Sequence, residues 1–381
     1  MQIKDTKLNW SLNVVARVFV GLVFLFSSFV KGVDPMGTAF KINDYLTAWQ
    51  FGGLSLEWLQ PAAPFLSMLL ITLEFLVGML LLAGSFRRGT AWLLALMMIF
   101  FTITTLYDAI TNKVSDCGCF GDAIKLTNWQ TFWKNIILDI PTLWIFLTRC
   151  LRLKRRTERD TLVAIFAIMM MVIFGLFNIN NEPCIDFRSW KVGNQMIEMD
   201  ENAQVKSYVT YRNTETGETE EFLSEELVKR MEEPGWEQKW EWESSRVEDP
   251  NEIKADGFSM LDMDMNDHAK EFIGSPDYLM IVTIHHLDKV KDQGVEAMKN
   301  VLVWADANGV QTVLLSSALP EDVQAFLYVN KLDNLDFYFA DATAIETMLR
   351  SNPGFMLLKG GKVLGKWHYR HADDVEDVKL D

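Results

Sequence analysis

Apolar residues fall into long runs in the first half of the chain and into short, alternating ones in the second. Five runs, at 12–30, 61–83, 90–110, 129–147 and 161–177, approach the roughly 20 residues that a helix needs to cross a bilayer. Connections as short as 84–89 force neighbouring helices to lie antiparallel, so the first four runs predict a membrane α-helical four-helix bundle. The fifth follows a basic linker and reads as a fifth tethering transmembrane helix. The first run begins after Lys4 and Lys7, as a signal peptide does. It lacks an Ala-x-Ala-like cleavage signal and four more runs follow, so a retained helix is expected. The long connection 31–60, with Tyr45, Trp49, Phe51 and Trp58, suits the lipid–water interface.

Beyond Asn178 the pattern is that of a water-soluble region. Residues 204–213 and 218–223 flank a Thr-Gly turn and predict a hairpin, which Trp236, Trp240 and Trp242 would cover; 248–256 reads as a linker. From Tyr278 strands and helices alternate. Strands are expected at 278–284, 312–316, 336–340, 354–358 and 363–368, with helices at 290–307, 321–329 and 344–349. That order predicts an outer α/β domain with a mixed sheet, preceded by a small β-rich segment. The expected division is a bundle over 1–150, a linker and fifth helix over 151–185, an acidic β-rich segment over 186–256, and an α/β domain over 257–381.

The formal charge of −15 resides mostly in the second half, which argues against a nucleic-acid partner, since phosphate backbones need a basic footprint. Basic residues instead mark topology. Arg87 and Arg88 follow the second run, and Arg149, Arg152, Lys154, Arg155, Arg156 and Arg159 follow the fourth. The positive-inside rule places both loops, and the N-terminus, in the cytoplasm. Residues 31–60, the loop around 117–119 and everything after 178 are then outside, in the periplasm of a Gram-negative inner membrane. Cys150 falls on the reducing side. Cys117, Cys119 and Cys184 fall where disulfides persist.

Cys117 and Cys119 are separated by one glycine, which permits the backbone angles of a tight ring. A bridge over that spacing would be strained and easily reduced, which suits exchange better than stapling. Cys184, just after the fifth run, is a candidate to resolve or store that disulfide; an ordinary juxtamembrane thiol is the competing reading. No metal site is expected, because two thiolates would need further ligands such as His268, His285 or His286. Glu74 lies deep in the second run and Asp139 in the fourth, where carboxylates are costly and mark function by default. Pro141 would loosen the helix beside Asp139. Arg17 lies at a depth similar to Glu74, so an Arg17–Glu74 pair is expected as either a helix lock or a proton path. Lys31 and Asp108 sit near the ends of their runs, where snorkelling accounts for them.

Arg17 with the stretch from Phe24 to Lys31, and the stretch from Glu74 to Gly84, resemble the first two helices of DoxX-type membrane proteins. The run Cys117-Gly118-Cys119-Phe120-Gly121 resembles the MauE branch. The resemblance covers about the first 150 residues. It implies a four-helix inner-membrane protein that matures periplasmic proteins through disulfide chemistry, while other DoxX relatives are linked to quinol oxidation. The last 100 residues resemble a thioredoxin-like fold, in which Pro353, ahead of the 354–358 strand, would be the cis proline. Where thioredoxins carry Cys-x-x-Cys this chain has His285, His286, Leu287 and Asp288, so the domain cannot exchange dithiols by itself and would present a client or partner. The expected function is a membrane thiol–disulfide or electron-transfer component, with a periplasmic protein client and a quinone as one acceptor for its electrons. The competing readings are a non-enzymatic membrane scaffold that recruits partners through the outer domain, and a small-molecule or proton transporter using Glu74 and Asp139.

Overall fold

A computed structural model describes residues 7–51, 54–85, 87–114, 118–149, 158–200, 204–232, 235–255 and 257–380. The chain divides into two compact units, residues 1–188 and 189–381.

Among the described residues the first unit contains six α-helices: α1 (Lys7–Val33), α2 (Pro35–Ala48), α3 (Ala63–Ala83), α4 (Arg87–Thr111), α5 (Asn128–Arg149) and α6 (Glu158–Asn180). A short antiparallel pair, β1 (Gln50–Phe51) and β2 (Leu54–Ser55), precedes α3. Four stretches are long and apolar enough to cross a membrane among the described residues, 9–33, 57–83, 88–111 and 158–180. The run expected at 129–147 does form a helix, α5, but it is more polar than these four. The reason lies in its packing. Asn128, Thr131, Asn135, Leu138, Thr142 and Ile145 are all buried and recur at alternating steps of three and four. They form a seam against α4 that carries polar groups where a lipid-facing helix would carry leucine. Asn135 Nδ2 donates to Thr105 Oγ1 (3.1 Å) and Thr102 Oγ1 donates to Asp139 Oδ2 (2.9 Å) across that seam.

Two expectations are corrected here. The 31–60 connection is not an interfacial loop throughout, because Asp34 caps a helix over Pro35–Ala48 by accepting from Gly37 N (2.9 Å). The last helix is not a mere tether. A Cβ at Gly32 of α1 would lie 2.0 Å from Met171 Cε of α6, and one at Gly175 of α6 would lie 2.5 Å from Met68 Cε of α3. Methionines thus fill the notches left by glycines, and α6 is packed as a member of the bundle. α1 and α3 approach closely where Gly21 and Gly78 face each other, and a Cβ at Gly78 would meet Leu25 Cγ at 2.8 Å and the Gly21 carbonyl at 3.1 Å.

Among the described residues the second unit holds two sheets. β3 (Lys206–Asn213), β4 (Thr219–Leu223) and β5 (Trp240–Glu248) form an antiparallel sheet in the order β4-β3-β5. The short helices α7 (Ser224–Met231) and α8 (Trp236–Lys239) follow β4, and Phe222, Leu227 and Trp236 are buried together there. After α9 (Ala269–Ile273) come β6 (Tyr278–Ile284), α10 (Asp292–Ala307), β7 (Gln311–Ser316), α11 (Pro320–Asn330), β8 (Asp336–Phe339), α12 (Ala342–Met348), β9 (Gly354–Lys359) and β10 (Lys362–His368). Their sheet runs β10-β9-β6-β7-β8, with β6, β7 and β8 parallel and β9 antiparallel to both neighbours. Side chains of β6 alternate between two cores, Leu279 and Ile281 on one face and Met280, Val282 and Ile284 on the other. The stretch expected to be a linker, 248–256, is partly core: Ile253 is buried beside Trp190, Met196 and Ile197. The Asn352–Pro353 peptide bond is cis.

Two tests follow from this packing. Gly78→Ala should lower the stability of the detergent-purified chain by about 1–3 kcal/mol, because the added methyl has backbone in its way. Gly89→Ala, where a Cβ meets nothing within 4 Å, should be neutral or stabilising by up to about 1 kcal/mol in the same melting experiment. His368 is buried at the end of β10 and its Nδ1 accepts from Arg370 N (3.1 Å). Burial, then the charges of Arg370, His371 and Lys291, lower its pKa from 6.5 to about 4. Above pH 6.5 the residue is neutral in both folded and unfolded chains and costs nothing. As pH falls from 6.5 to 4 only the unfolded chain takes the proton, and stability declines by up to about 3 kcal/mol. An acid titration of unfolding should show that decline, and His368→Gln should flatten it.

Candidate functional site

The site is built on the turn that follows α4. Gly121 N donates to Gly118 O (3.0 Å), closing a four-residue turn with Cys119 and Phe120 at its centre. Gly118 (φ 62°) and Gly121 (φ 50°) both occupy the left-handed region, so side chains there would strain it. The turn does not stand out from the bundle. Ser27 Oγ, in the penultimate turn of α1, lies 2.8 Å from the Cys119 carbonyl oxygen and donates to it. A Cβ at Gly121 would touch Val30 Cγ1 at 3.2 Å, so the backbone of the turn lies directly on α1. Phe120 inserts between α1 and α5, with its ring 5.5 Å from that of Phe26 and the Lys134 ammonium 4.4 Å above it.

Beneath the turn lies a buried ion pair. Lys31 Nζ of α1 is 2.6 Å from Glu74 Oε1 of α3, and both side chains are almost wholly enclosed. Ser27 Oγ lies 3.1 Å from Glu74 Oε2, so one hydroxyl links the carboxylate to the cysteine backbone. Phe101 of α4 packs its ring 5.5 Å from Lys31 Nζ. Cys119, Lys31, Glu74 and Lys134 share a cavity of about 30 Å³, enough for one or two waters. The arrangement puts two ammonium groups and one carboxylate around a half-buried thiol. Lys31 is paired with Glu74, and Lys134 stands at the cavity wall.

The other expected residues are placed as follows. Arg17 does not meet Glu74; its Nε and Nη2 donate to Leu81 O (2.9 and 2.7 Å), about two turns further along α3, where they satisfy carbonyls at a helix end. Asp139 accepts from Thr102 and ties α5 to α4 rather than entering the cavity. Lys31 and Asp108 do not snorkel. Asp108 is fully buried and accepts from Tyr45 Oη of α2 (2.6 Å), and Lys31 is half of the central pair. Cys117 and Cys150 lie outside the described residues.

Cys184 is an exposed thiol in a braced loop after α6. Its N–H donates to Asn178 Oδ1 (3.0 Å), while Asn178 Nδ2 donates to Gly32 O of α1 (3.2 Å). Arg188 closes the loop through Asp186 (2.7 Å) and Glu182 (3.2 Å). Burial opposes its charge, but Glu182 and Asp186 more than compensate and raise its pKa, so the clasp stays charged. The loop thus sits at the end of the bundle where α1 and α6 finish, the end that also receives the Cys119 turn. In the second unit, His285 is buried at the end of β6 and its N–H donates to Asn352 Oδ1 (2.9 Å) beside Pro353. Asn352 Nδ2 returns the contact to His286 O (2.8 Å). Burial, then Lys289, lowers the His286 pKa.

Sequence reasoning passed over Lys31 and Ser27. A signal was present: Val20, Phe24, Ser27 and Lys31 follow steps of four, three and four, so they share one face of α1. The face that buries Val20 and Phe24 must also direct Lys31 inward.

These features define a helical membrane protein with a cysteine turn seated in the mouth of its bundle. Residues 9–148 match the family described as Methylamine utilisation protein MauE. Protein TlpB of Flavobacterium psychrophilum is 24% identical over 171 residues, 44% of this chain. That stretch is also 44% of the relative, so the chain spans less than half the length of the protein it matches. No solved structure matches it significantly.

The ion pair can be tested by double replacement. Lys31→Met or Glu74→Leu alone leaves a buried charge without its counter-ion and should cost about 3–5 kcal/mol. The combined variant should recover most of that loss in thermal unfolding of the purified chain.

Proposed function

We propose that the chain is a membrane thiol–disulfide exchange component that matures client proteins outside the membrane, with Cys117 and Cys119 as its redox pair. The observation that carries this reading is the seat of Cys119: a turn held by Ser27 over Lys31 and Glu74, with Lys134 beside it. A purely structural loop has no need of a buried ion pair and a half-buried lysine around its cysteine. In the oxidised chain a client thiolate attacks the Cys117 sulfur of the Cys117–Cys119 bridge. The Cys119 sulfur leaves with the electron pair, and its negative charge falls where Lys31 and Lys134 stabilise it. A second client thiol then attacks the mixed disulfide, its proton passing to solvent. The client gains a disulfide and the chain is left with two reduced cysteines. Cys184, at the same end of the bundle, would receive the bridge in a further exchange.

The MauE match supports this reading, and the basic loops are the ground for reading the cysteine turn and the second unit as periplasmic. The second unit is read as a thioredoxin-like domain without redox cysteines, on the strength of its strand order and of Pro353 beside the end of β6. Its role would be to hold the client near the bundle.

Alkylation and mass spectrometry of native membranes test the proposal. A reagent that cannot cross the bilayer should label Cys119 and Cys184 after reduction. Cys119→Ser has no bridge to offer a reduced client, but with the client supplied in its disulfide form it should accumulate a mixed disulfide through Cys117, and Cys117→Ser should accumulate far less. Full client maturation in both serine variants would rule the exchange role out.

A further inference from the structure

Ser27 has one hydroxyl hydrogen and two oxygens within reach of it, the Cys119 carbonyl at 2.8 Å and Glu74 Oε2 at 3.1 Å. A hydroxyl donates once and accepts through its lone pairs. With Glu74 ionised, both oxygens compete for the one hydrogen. With a proton on Glu74 Oε2, the carboxyl donates to Ser27 Oγ and Ser27 donates to the Cys119 carbonyl. Both contacts are then satisfied. Lys31 Nζ keeps its 2.6 Å bond to Oε1 in either state.

The cavity beneath the turn offers a source for such a proton. Glu74 is the one carboxylate among the described residues that line it, and the space suffices for one or two waters. The titratable groups that face Glu74 there are Lys31 of α1, Cys119 of the turn and Lys134 of α5. α4 presents Met98 and Phe101, which are apolar, and no described residue of α6 lines the space. Of these groups, the thiol is the one whose proton comes and goes during exchange. The Lys31 ammonium needs an anion beside it in the bundle, and a thiolate meets that need as a carboxylate does.

We propose that Glu74 is the proton acceptor for the Cys119 thiol, and that Lys31 then exchanges one counter-ion, the Glu74 carboxylate, for another, the Cys119 thiolate. The proposal rests on the exchange reading above and supplies its proton store. The S–H bond of Cys119 breaks, an O–H bond forms on Glu74 Oε2, and water in the cavity carries the proton between them. No electron moves and the total charge of the cavity is unchanged, so the step adds no charge to the apolar bundle. Ser27 is a positioning residue. Once Glu74 is protonated, its hydrogen belongs to the Cys119 carbonyl alone, and the turn is held most firmly while the thiolate is present. Because the proton stays inside the site, the thiolate fraction does not follow the pH of the medium. An ordinary thiol, with a pKa of about 8.5, gains thiolate about tenfold per unit below that value.

The test uses the full chain in lipid nanodiscs, fully reduced, with iodoacetamide as a neutral alkylating probe and alkylation of Cys119 read by mass spectrometry. Free N-acetylcysteine measured alongside should react about 100-fold faster between about pH 5.5 and 7.5. Cys119 should instead hold a plateau over that range, with a height proportional to iodoacetamide concentration. Glu74→Gln should abolish the plateau and give a rate that climbs about tenfold per unit. Glu74→Asp, which keeps the carboxylate, should retain it. Ser27→Ala leaves every charge in place, so it tests the idea even where Glu74→Gln does not fold. It should lower the plateau by about two- to tenfold, the worth of one hydrogen bond. A tenfold climb per unit in the wild type, a plateau that survives Glu74→Gln, or one untouched by Ser27→Ala would each overturn the proposal. A plateau that does not grow with reagent would report opening of the turn and overturn it as well. All of these leave the exchange reading standing, which falls only to full client maturation in the cysteine-to-serine variants.

Discussion

The cost of a charge in an apolar bundle organises the first unit. Lys31 and Glu74 are both enclosed, and each serves as the other's counter-ion. Their 2.6 Å contact therefore fixes the rotation and height of α1 against α3, at a point where Gly21 and Gly78 have already brought the two backbones close. Ser27, one turn from Lys31, inherits its position from that register. Because Ser27 holds the Cys119 carbonyl, the placement of the cysteine turn depends on an ion pair that the cysteine itself does not touch.

The same physics explains α5. Its seam mixes polar and apolar side chains, and Asn135 and Asp139 find partners on α4 rather than water. Such bonds contribute modestly each, but they set α4 and α5 in one alignment. That alignment brings Lys134 to Phe120, and both also line an aromatic groove between α1 and α5. α6, seated through methionines against Gly32 and the Gly175 notch, carries Asn178 to the end of α1 and so braces the Cys184 loop. Three helix contacts made for packing reasons thus determine where two cysteines are presented.

The second unit obeys a different solvent. Its five-stranded sheet buries both faces and its strands read as continuous apolar runs, as parallel strands covered on both sides must. Asn352 satisfies the backbone at the end of β6, where His285 and His286 stand. That bonding closes the backbone at the strand end, in a region with no cysteine beyond residue 184.

Much of this was legible in the chain itself. Apolar runs of bilayer length announced the membrane helices, and the strands and helices after Tyr278 lie within one or two residues of the pattern, because period and burial are local properties written in neighbouring residues. The two glycines that shape the cysteine turn were equally plain. Partner choice was not, since it depends on which faces meet across helices far apart in sequence. Arg17 and Lys31 are both cations on α1, and depth alone favoured the wrong one for Glu74; only the packing of α1 on α3 put Lys31 opposite it and sent Arg17 to the carbonyls of Leu81 and Leu82. Composition made the cysteines candidates, and the fold decided that one of them rests on a buried ion pair beside an apolar groove.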